Sequence, residues 1–385
     1  MVNTLVIVLA VLASSEALLA PFMRVDEKID GKYLVKVKDG YSIDKVTRNI
    51  QNDPFFNLIG GKVRRIFRHV VQGFEAELSS PALDFIRRLS WVEYVTEDGI
   101  VRAMYDVDSW GLDRVDQRDW FLDNEYNPKY HGNGVTVYVI DTGVRPTHVD
   151  VAGRCQIGAD MVNPDPRDGY GEDCNGHGSH CSGVVGGTLY GVAKNAQLVG
   201  VRVLGCLGSG STAQVVGGMD WVAANANKPA VVSMSLGGGG NQMTDDGVIG
   251  LRDAGILTVA AAGNSARNAC NTSPARSPYA VTVGATSLND TRASYSNHGE
   301  CLNIFAPGTL IKSIWNNDDE DTRAVSGTSM ACPHVAGAAA LYLETNPSAT
   351  PSVVQAYLMN TATQGVVSNA KVPDEINRLL YVETV

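Results

Sequence analysis

Ser329 lies within residues 326–337, where small residues lead into an apolar, alanine-rich run. This pattern predicts a loop that turns into a buried helix, with Ser329 in the first helical turn. The first N–H groups of a helix lack partners and carry positive potential, so an oxyanion beside Ser329 Oγ would meet the Ser329 N–H. Pro333 cannot donate to the Ser329 carbonyl, which loosens this end of the helix. A capped core helix with a chance Gly-Thr-Ser sequence is the alternative.

Three other segments carry side chains that could act with this serine. Residues 135–140 are a mostly apolar, β-branched run typical of a buried parallel strand, and Asp141 follows at its carboxyl end, where open α/β sheets place ligand sites. His177 stands among small residues at a predicted helix start. Another buried strand ends in the side-chain amide of Asn264. Aspartate, histidine and serine in glycine-rich loops are the components of nucleophilic acyl transfer.

Each of these side chains also has a structural interpretation. His177 and His180 stand three residues apart on a helix, as two metal ligands could, but no HExxH pattern and no third ligand accompany them. We therefore expect His180 to be a packed structural histidine. Asp141 could be a turn residue, and Asn264 a left-handed turn former after Gly263.

Strand and helix patterns alternate along the second part of the chain, which predicts an α/β fold with a mostly parallel sheet flanked by helices on both faces. The predicted strands are residues 135–140, 197–203, 230–235, 256–261 and 280–283. The predicted helices are residues 177–185, 212–224, 245–254, 328–343 and 351–360.

Residues 26–104 differ in kind, because they are rich in Lys and Arg and contain no cysteine. Strand patterns at 32–38, 74–78 and 92–101, with helical patterns at 43–50 and 82–89, predict a small α+β domain of helices on an antiparallel sheet. The alternation in residues 32–38 is that of an edge strand. An independent binding module is one interpretation of this domain.

The first residues predict secretion. An apolar run at residues 5–12 precedes a small-residue site, so we expect residues 1–17 to be a signal peptide cleaved after Ala17. An uncleaved tail is the alternative. No later run reaches about 18 apolar residues, so we expect no membrane anchor. The formal charge of -10 argues against nucleic acid as a partner, because an acidic chain repels phosphate.

Four ordered segments, VIDTGV, HGSHCSG, AAGNS and GTSMACPHVAG, resemble the signatures of the subtilase family of serine proteases, and specifically its proteinase K and aqualysin branch. The similarity extends from Trp110 to Leu380. It implies a subtilisin-like peptidase domain at residues 105–385. It further implies that Ser329 is the nucleophile, His177 the general base and then acid, Asp141 the carboxylate that orients His177, and Asn264 the side-chain donor to the oxyanion.

The resemblance also implies that residues 18–104 are an inhibitory propeptide that acts as an intramolecular chaperone. Its basic character suits binding to an acidic protease, and its last residues are extended enough to lie in a substrate groove. We expect self-cleavage within residues 101–106.

Two glycine-rich loops resemble the substrate-binding edges of the family, between which a protein or peptide substrate would be held as an added strand. A P1 pocket flanked by residues 237–239 and 261–263 contains no acid in these stretches, which predicts broad specificity with a large apolar or aromatic P1 residue. An ordinary flexible turn is the alternative for residues 237–240. The predicted edge residues are Gly208, Ser209 and Gly210 on one side, and Ser235, Leu236, Gly237 and Gly238 on the other.

All seven cysteines lie in the second part of the chain, which suits an oxidising compartment, and their odd number leaves at least one free thiol. The resemblance implies two disulfides, Cys174 to Cys206 and Cys270 to Cys301. It leaves Cys155, Cys181 and Cys332 unpaired.

Structural calcium is the implied cofactor. An oxygen-rich segment matches a calcium site of the aqualysin-like enzymes, with Asp113, Asp116, Gln117, Asp123 and Asn124 as ligands. A solvated acidic loop is the alternative.

These patterns together predict a secreted, monomeric serine endopeptidase made as a self-processing zymogen. A rival is a proteolytically silent binding protein that keeps its propeptide bound. An α/β-hydrolase esterase is disfavoured, because its serine precedes the other two residues whereas Asp141 comes first here.

Overall fold

The structure is a computed structural model that describes residues 19–24, 28–68, 71–99, 109–163, 169–373 and 376–385. The chain divides into two compact units, Met1–Met104 and Tyr105–Val385. The predicted signal peptide and the predicted cleavage region at residues 101–106 lie outside the described residues. No helix in the described ranges has both the length and the apolar character needed to cross a membrane.

The first unit has helices packed on a mainly antiparallel sheet, with its strands in the order β1-β5-β2-β4-β3. Val35 and Phe74 from the sheet share an apolar core with Val46 and Ile50 from the first helix. The elements are β1 (Phe22–Met23), β2 (Lys28–Val37), α1 (Ile43–Gln51), α2 (Pro54–Leu58), β3 (Gly61–Phe67), β4 (Gly73–Leu78), α3 (Ser80–Arg87) and β5 (Val92–Gly99).

Strand β2 is not an edge strand, and that prediction is wrong. It pairs with β4 on one side and β5 on the other. Its charged side chains are accommodated by cross-strand ion pairs, in which Lys32 lies 3.5 Å from Glu75 and Lys36 lies 3.3 Å from Glu93. The alternating pattern therefore reflects one polar face of an interior strand.

The second unit is built from strands and helices in alternation. Its elements are α4 (Trp110–Val115), β6 (Thr136–Asp141), β7 (Cys155–Asp160), α5 (His177–Gly186), β8 (Gln197–Arg202), α6 (Thr212–Asn225), β9 (Ala230–Met234), β10 (Gly238–Gly239), α7 (Gln242–Asp253), β11 (Leu257–Ala261), β12 (Thr272–Ser273), β13 (Ala280–Thr286), β14 (Ile304–Pro307), β15 (Ile311–Ile314), β16 (Thr322–Val325), α8 (Thr328–Thr345), α9 (Pro351–Thr361), β17 (Thr363–Gln364) and β18 (Arg378–Leu379).

The main sheet has the order β17-β18-β14-β13-β11-β9-β6-β8-β7 within the described residues. The strands from β18 to β7 run parallel, and β17 is antiparallel to β18. The predicted mostly parallel sheet flanked by helices is confirmed.

Each face of this sheet has its own core because successive side chains of a strand point to opposite faces. In β6, Val137 and Val139 pack with α5, α8 and α9. Tyr138 and Ile140 pack with α6 and α7 on the other face. The continuous apolar run of this strand is thus explained by burial on both sides.

Helix α8 lies against the centre of the sheet, where it contacts β6, β9, β11, β13 and β14. Most of its residues are buried, and alanine and glycine at many positions permit close packing. Gly337 shows how close: a Cβ there would lie 2.7 Å from the Val192 side chain. The helix that begins at Thr328 is therefore a core element of the unit.

Candidate active site

Asp141 is the last residue of β6, which lies between β8 and β9. Its side chain is fully buried. One carboxylate oxygen, Oδ1, accepts hydrogen bonds from the Thr142 N–H at 2.8 Å and from His177 Nδ1 at 2.7 Å. Asp141 therefore does more than form a turn, because it holds the imidazole in the tautomer that leaves Nε2 free to accept a proton.

His177 is the first residue of α5, directly after Gly176. Gly176 has φ of 106°, and a Cβ there would lie 2.2 Å from the Trp315 ring, so this position requires glycine. Burial lowers the pKa of His177, but the Asp141 carboxylate outweighs it, and the net pKa is well above the usual 6.5. The pair is thus arranged to stabilise an imidazolium.

Asp173 fixes the start of α5, a role that the sequence analysis missed. Its Oδ1 accepts from Thr142 Oγ1 at 2.9 Å and from the N–H groups of Asn175 and Gly176. Its Oδ2 accepts from the Ser179 N–H at 2.9 Å and from Ser179 Oγ at 2.7 Å. Because Thr142 follows the carboxylate partner of His177, Asp173 ties the strand end to the helix start. An aspartate shortly before a predicted helix is the signal that could have identified it.

Ser329 is the second residue of α8, as the sequence predicts. Its carbonyl accepts from Ser235 Oγ at 2.8 Å and from Cys181 Sγ at 3.4 Å. These side chains replace the N–H that Pro333 lacks. Ser329 Oγ donates to the Ser235 carbonyl at 3.1 Å, and among the described hydrogen bonds it has none to His177. The serine hydroxyl is therefore held at the predicted substrate-binding edge in this structure.

The side-chain amide of Asn264 is held through its oxygen by Thr328. Its Oδ1 accepts from the Thr328 N–H at 2.8 Å and from Thr328 Oγ1 at 2.9 Å. Nδ2 has no hydrogen-bond acceptor among the residues that the structure describes, and a Cβ on Gly327 would lie 3.4 Å from it. Asn264 does not have a positive φ, whereas Gly263 does, so the turn-former interpretation fails. Thr328 is a second residue that the sequence analysis missed.

A cavity of about 470 Å³ contains His177 and Ser329 and lies between the two predicted edges. It is lined by Gly208, Ser209 and Gly210 on one side and by Ser235, Leu236, Gly237 and Gly238 on the other. Gly238 and Gly239 pair with Ser273 and Thr272 in an antiparallel ladder, so this segment is not a flexible turn.

A second cavity of about 330 Å³ adjoins Ser329 and Asn264. Gly237, Ala261 and Gly263 form part of its wall, and no Asp or Glu of the described ranges lines it. It corresponds in position to the predicted P1 pocket. Its walls leave room for a large side chain because they consist mainly of small residues.

The structure does not support His177 and His180 as a pair of metal ligands. His180 is fully buried and its Nε2 lies 3.0 Å from the Ile311 carbonyl and 3.1 Å from the Arg323 carbonyl. Among the described residues, the one set of three His, Cys, Asp or Glu ligand atoms within 4.8 Å of one another belongs to Asp141, His177 and Cys181. Burial raises the pKa of Cys181, so the thiol stays protonated beside the imidazole.

The disulfides are Cys174–Cys206 and Cys270–Cys301, the pairs that the resemblance implies. Cys155, Cys181 and Cys332 are free. The first bridge joins the loop before α5 to the loop after β8, next to the groove edge at Gly208.

The predicted calcium loop follows α4 and contains two buried carboxylates with no ion-pair partner among the described residues. Asp113 Oδ1 accepts from Gln117 Nε2 and the Asp123 N–H, and its Oδ2 accepts from the Asn124 N–H. Asp116 Oδ1 is buried without a hydrogen bond. Burial raises the pKa of Asp113 to about 6 and that of Asp116 to about 7. Buried carboxylates with an unused oxygen fit a hard cation such as Ca²⁺.

A buried ion pair between Arg114 and Asp290 supports this loop. Arg114 is fully buried, and its Nε and Nη2 donate to the two carboxylate oxygens of Asp290 at 2.8 and 2.7 Å. Its Nη1 donates to the Gln117 carbonyl at 2.7 Å. Arg114 thereby connects the calcium loop to the segment after β13.

Comparison with known proteins places this site in a family. Residues 132–377 match the model of the subtilase family. The alkaline serine exoprotease A of Vibrio alginolyticus is 48% identical over 86% of this chain and 62% of its own length, so this chain spans about three fifths of that protein. The extracellular serine proteinase of Thermus sp. (strain Rt41A) is 47% identical over 81% of this chain and 76% of its own.

A solved structure gives the same result. The crystal structure of a cold adapted subtilisin-like serine proteinase matches with a TM-score of 0.69 at 50% identity, over 72% of this chain and 98% of that one. The predicted relationship to the proteinase K and aqualysin branch is confirmed. The chain therefore belongs to the subtilase family of serine endopeptidases.

Proposed function

We propose that this chain is a secreted serine endopeptidase that hydrolyses peptide bonds through an acyl-enzyme. Ser329 is the nucleophile, His177 the general base and then the general acid, Asp141 the orienting carboxylate and Asn264 an oxyanion donor. The observation that carries the proposal is the 2.7 Å hydrogen bond from His177 Nδ1 to the buried Asp141, together with the cavity that both His177 and Ser329 line.

The proposed reaction uses these side chains in order. When a peptide occupies the groove, Ser329 Oγ gives up its hydrogen bond to the Ser235 carbonyl and attacks the carbonyl carbon of the scissile bond. His177 Nε2 takes the hydroxyl proton of Ser329. The Ser329 N–H and Asn264 Nδ2 stabilise the oxyanion. His177 then protonates the leaving amine as the peptide C–N bond breaks. Water attacks the acyl-enzyme and gives a proton to His177, which passes a proton to Ser329 Oγ as the bond from the acyl carbon to Oγ breaks and the acid product leaves.

Specificity is proposed to be broad. Peptides pair with the main chain at Gly208–Gly210 and Ser235–Gly238, so affinity comes mostly from backbone hydrogen bonds. The P1 cavity, with small residues in its walls, accepts a large apolar or aromatic side chain.

Calcium is proposed to stabilise the loop after α4. The carboxylates of Asp113, Asp116 and Asp123, with the amide oxygens of Gln117 and Asn124, would hold it. Bound Ca²⁺ would neutralise the buried carboxylates and would take no part in peptide hydrolysis.

Residues 18–104 are proposed to be the inhibitory propeptide and folding chaperone of a monomeric enzyme, removed by self-cleavage within residues 101–106. Residues 1–17 are proposed to be the signal peptide. The name of the Thermus relative, an extracellular proteinase, supports secretion.

The Ser329→Ala variant tests the proposal. We expect loss of peptidase activity, on the order of 10⁶ in kcat, and a chain that stays unprocessed. Normal processing of this variant would assign cleavage to another protease. Purified mature wild type that leaves casein intact would support the silent binding protein instead.

Asn264→Ala tests the oxyanion donor. We expect kcat to fall about 10²- to 10³-fold with little change in KM, because Nδ2 acts on charge that develops in the transition state. An equal effect on KM would contradict this role.

A further inference from the structure

The P1 cavity contains one charged residue among the described residues that line it. Arg267 is that residue, and no Asp or Glu accompanies it. The other walls are mainly glycine, alanine, serine, threonine and asparagine. The electrostatic character of the pocket therefore depends on Arg267.

The backbone at Arg267 is held firmly. Its N–H donates to Asn297 Oδ1 at 3.1 Å, and its carbonyl accepts from the His298 N–H at 3.0 Å. Asn297 is 1% exposed and also donates to the Ala262 carbonyl at 2.7 Å, beside the pocket wall. The position of residue 267 relative to the pocket is thus set by a buried asparagine.

The Arg267 side chain is exposed, and no described carboxylate lies within ion-pair distance of its guanidinium. Arg276 provides the contrast, because its Nε donates at 2.6 Å to Asp245, which is largely buried. Arg276 is neutralised by its partner. Arg267 keeps its charge available to whatever enters the pocket.

We propose that Arg267 makes the P1 pocket discriminate by charge, so that glutamate at P1 is favoured over the isosteric glutamine and lysine is disfavoured. This inference rests on the peptidase function proposed above. It adds a preference among polar P1 residues to the acceptance of large apolar ones, which depends on the shape of the pocket.

The test compares kcat/KM for four peptide p-nitroanilides that differ only at P1, with Phe, Gln, Glu or Lys. The enzymes are the mature wild type, Arg267→Gln, Arg267→Glu and the control Lys228→Gln. Lys228 is also exposed, but it precedes the amino end of β9, whereas Ser235 follows the carboxyl end, so the control removes one charge far from the pocket.

We expect wild type and Lys228→Gln to prefer Glu over Gln by about 3- to 5-fold at low salt, the size of an exposed ion pair. Arg267→Gln should bring that ratio to about 1, and Arg267→Glu should favour Lys. Because the Debye length falls to about 3 Å at 1 M salt, the wild-type ratio should also approach 1 there. Hydrolysis of the Phe substrate by Lys228→Gln should stay within about 2-fold of wild type, and kcat/KM for the Phe substrate serves as the internal reference for each Arg267 variant.

Two results would overturn the inference in distinguishable ways. If wild type cleaves the Phe substrate but its Glu to Gln ratio is unchanged by either Arg267 substitution, Arg267 does not set P1 preference and the peptidase function stands. If wild type cleaves none of the four peptides, the peptidase function fails and this inference fails with it.

Discussion

The buried ion pair between Arg114 and Asp290 offers a quantitative test of how the predicted calcium loop is supported. Replacing Arg114 by Met keeps much of the side-chain volume but removes both bonds to Asp290 and the bond to the Gln117 carbonyl. Asp290 has a side-chain exposure of 8% and would be left with an unpaired charge. Breaking such a pair costs about 3–5 kcal/mol.

That cost corresponds to a clear change in melting temperature. With an unfolding entropy of about 2.1 cal/mol/K per residue, a unit the size of Tyr105–Val385 loses about 1.7 °C of Tm per kcal/mol, so we expect Arg114→Met to lower Tm by about 5–8 °C. The assay is calorimetry of the mature enzyme inactivated with phenylmethylsulfonyl fluoride, which prevents autolysis during the scan.

A second substitution separates the unpaired charge from lost packing. Asp290 has φ of 55°, a conformation that asparagine tolerates, so Asp290→Asn is a suitable partner change. The double variant should regain a large part of the lost stability, because it contains no buried unpaired charge. A loss below about 1 kcal/mol for Arg114→Met, or a double variant no more stable than the single one, would refute the reasoning.

Three further predictions concern the pKa shifts and the positioning contacts. Because the pKa of His177 is raised and the base must be neutral, the midpoint of the acid limb of kcat/KM should lie above pH 6.5. Asp141→Asn should shift that midpoint to lower pH and reduce kcat on the order of 10⁴-fold. An unchanged midpoint would contradict the assignment. EDTA should lower Tm while leaving kcat largely intact. The calcium-free enzyme should lose stability as pH rises from about 4 to about 7, because the folded pKa of Asp116 lies above its unfolded value. Equal Tm in EDTA and in millimolar calcium would refute a calcium site. Asp173→Asn should reduce kcat by about 10- to 100-fold, because an amide N–H would then face the two Ser179 groups that donate to the carboxylate. Kinetics equal to wild type on a P1 Phe peptide would contradict a positioning role for Asp173.

Much of the fold was predictable from periodicity. The run of residues 135–140 predicts β6 because a strand buried on both faces must be apolar throughout. The predicted helix at residues 328–343 is observed as Thr328–Thr345, since alanine-rich sequence has few alternatives once buried. Both are core elements whose composition is dictated by their surroundings.

The sequence did not predict the edge strands β3 and β7. Strand β3, Gly61–Phe67, carries two arginines and a lysine, and as the edge of its sheet it has no need for an apolar run. Strand β7, Cys155–Asp160, is also at an edge, and its first four residues are half-buried or exposed. Edge strands are formed by pairing with a neighbour that the local sequence does not reveal.

The site residues divide in the same way. The proposed catalytic residues lie in short motifs within glycine-rich loops, so the sequence alone predicts them. Asp173 and Thr328 act through hydrogen bonds to backbone groups, and Ser235 Oγ takes the place of an N–H that Pro333 lacks. Such contacts depend on the distance between segments far apart in the chain.

Helix α8 has a consequence for how heat inactivates the protein. The serine stands on the first turn of a helix that packs against five central strands, so the site cannot melt while the core stays folded. Residual activity after heating would then report the fraction of molecules whose whole domain survives, and activity and near-UV circular dichroism should be lost along one curve.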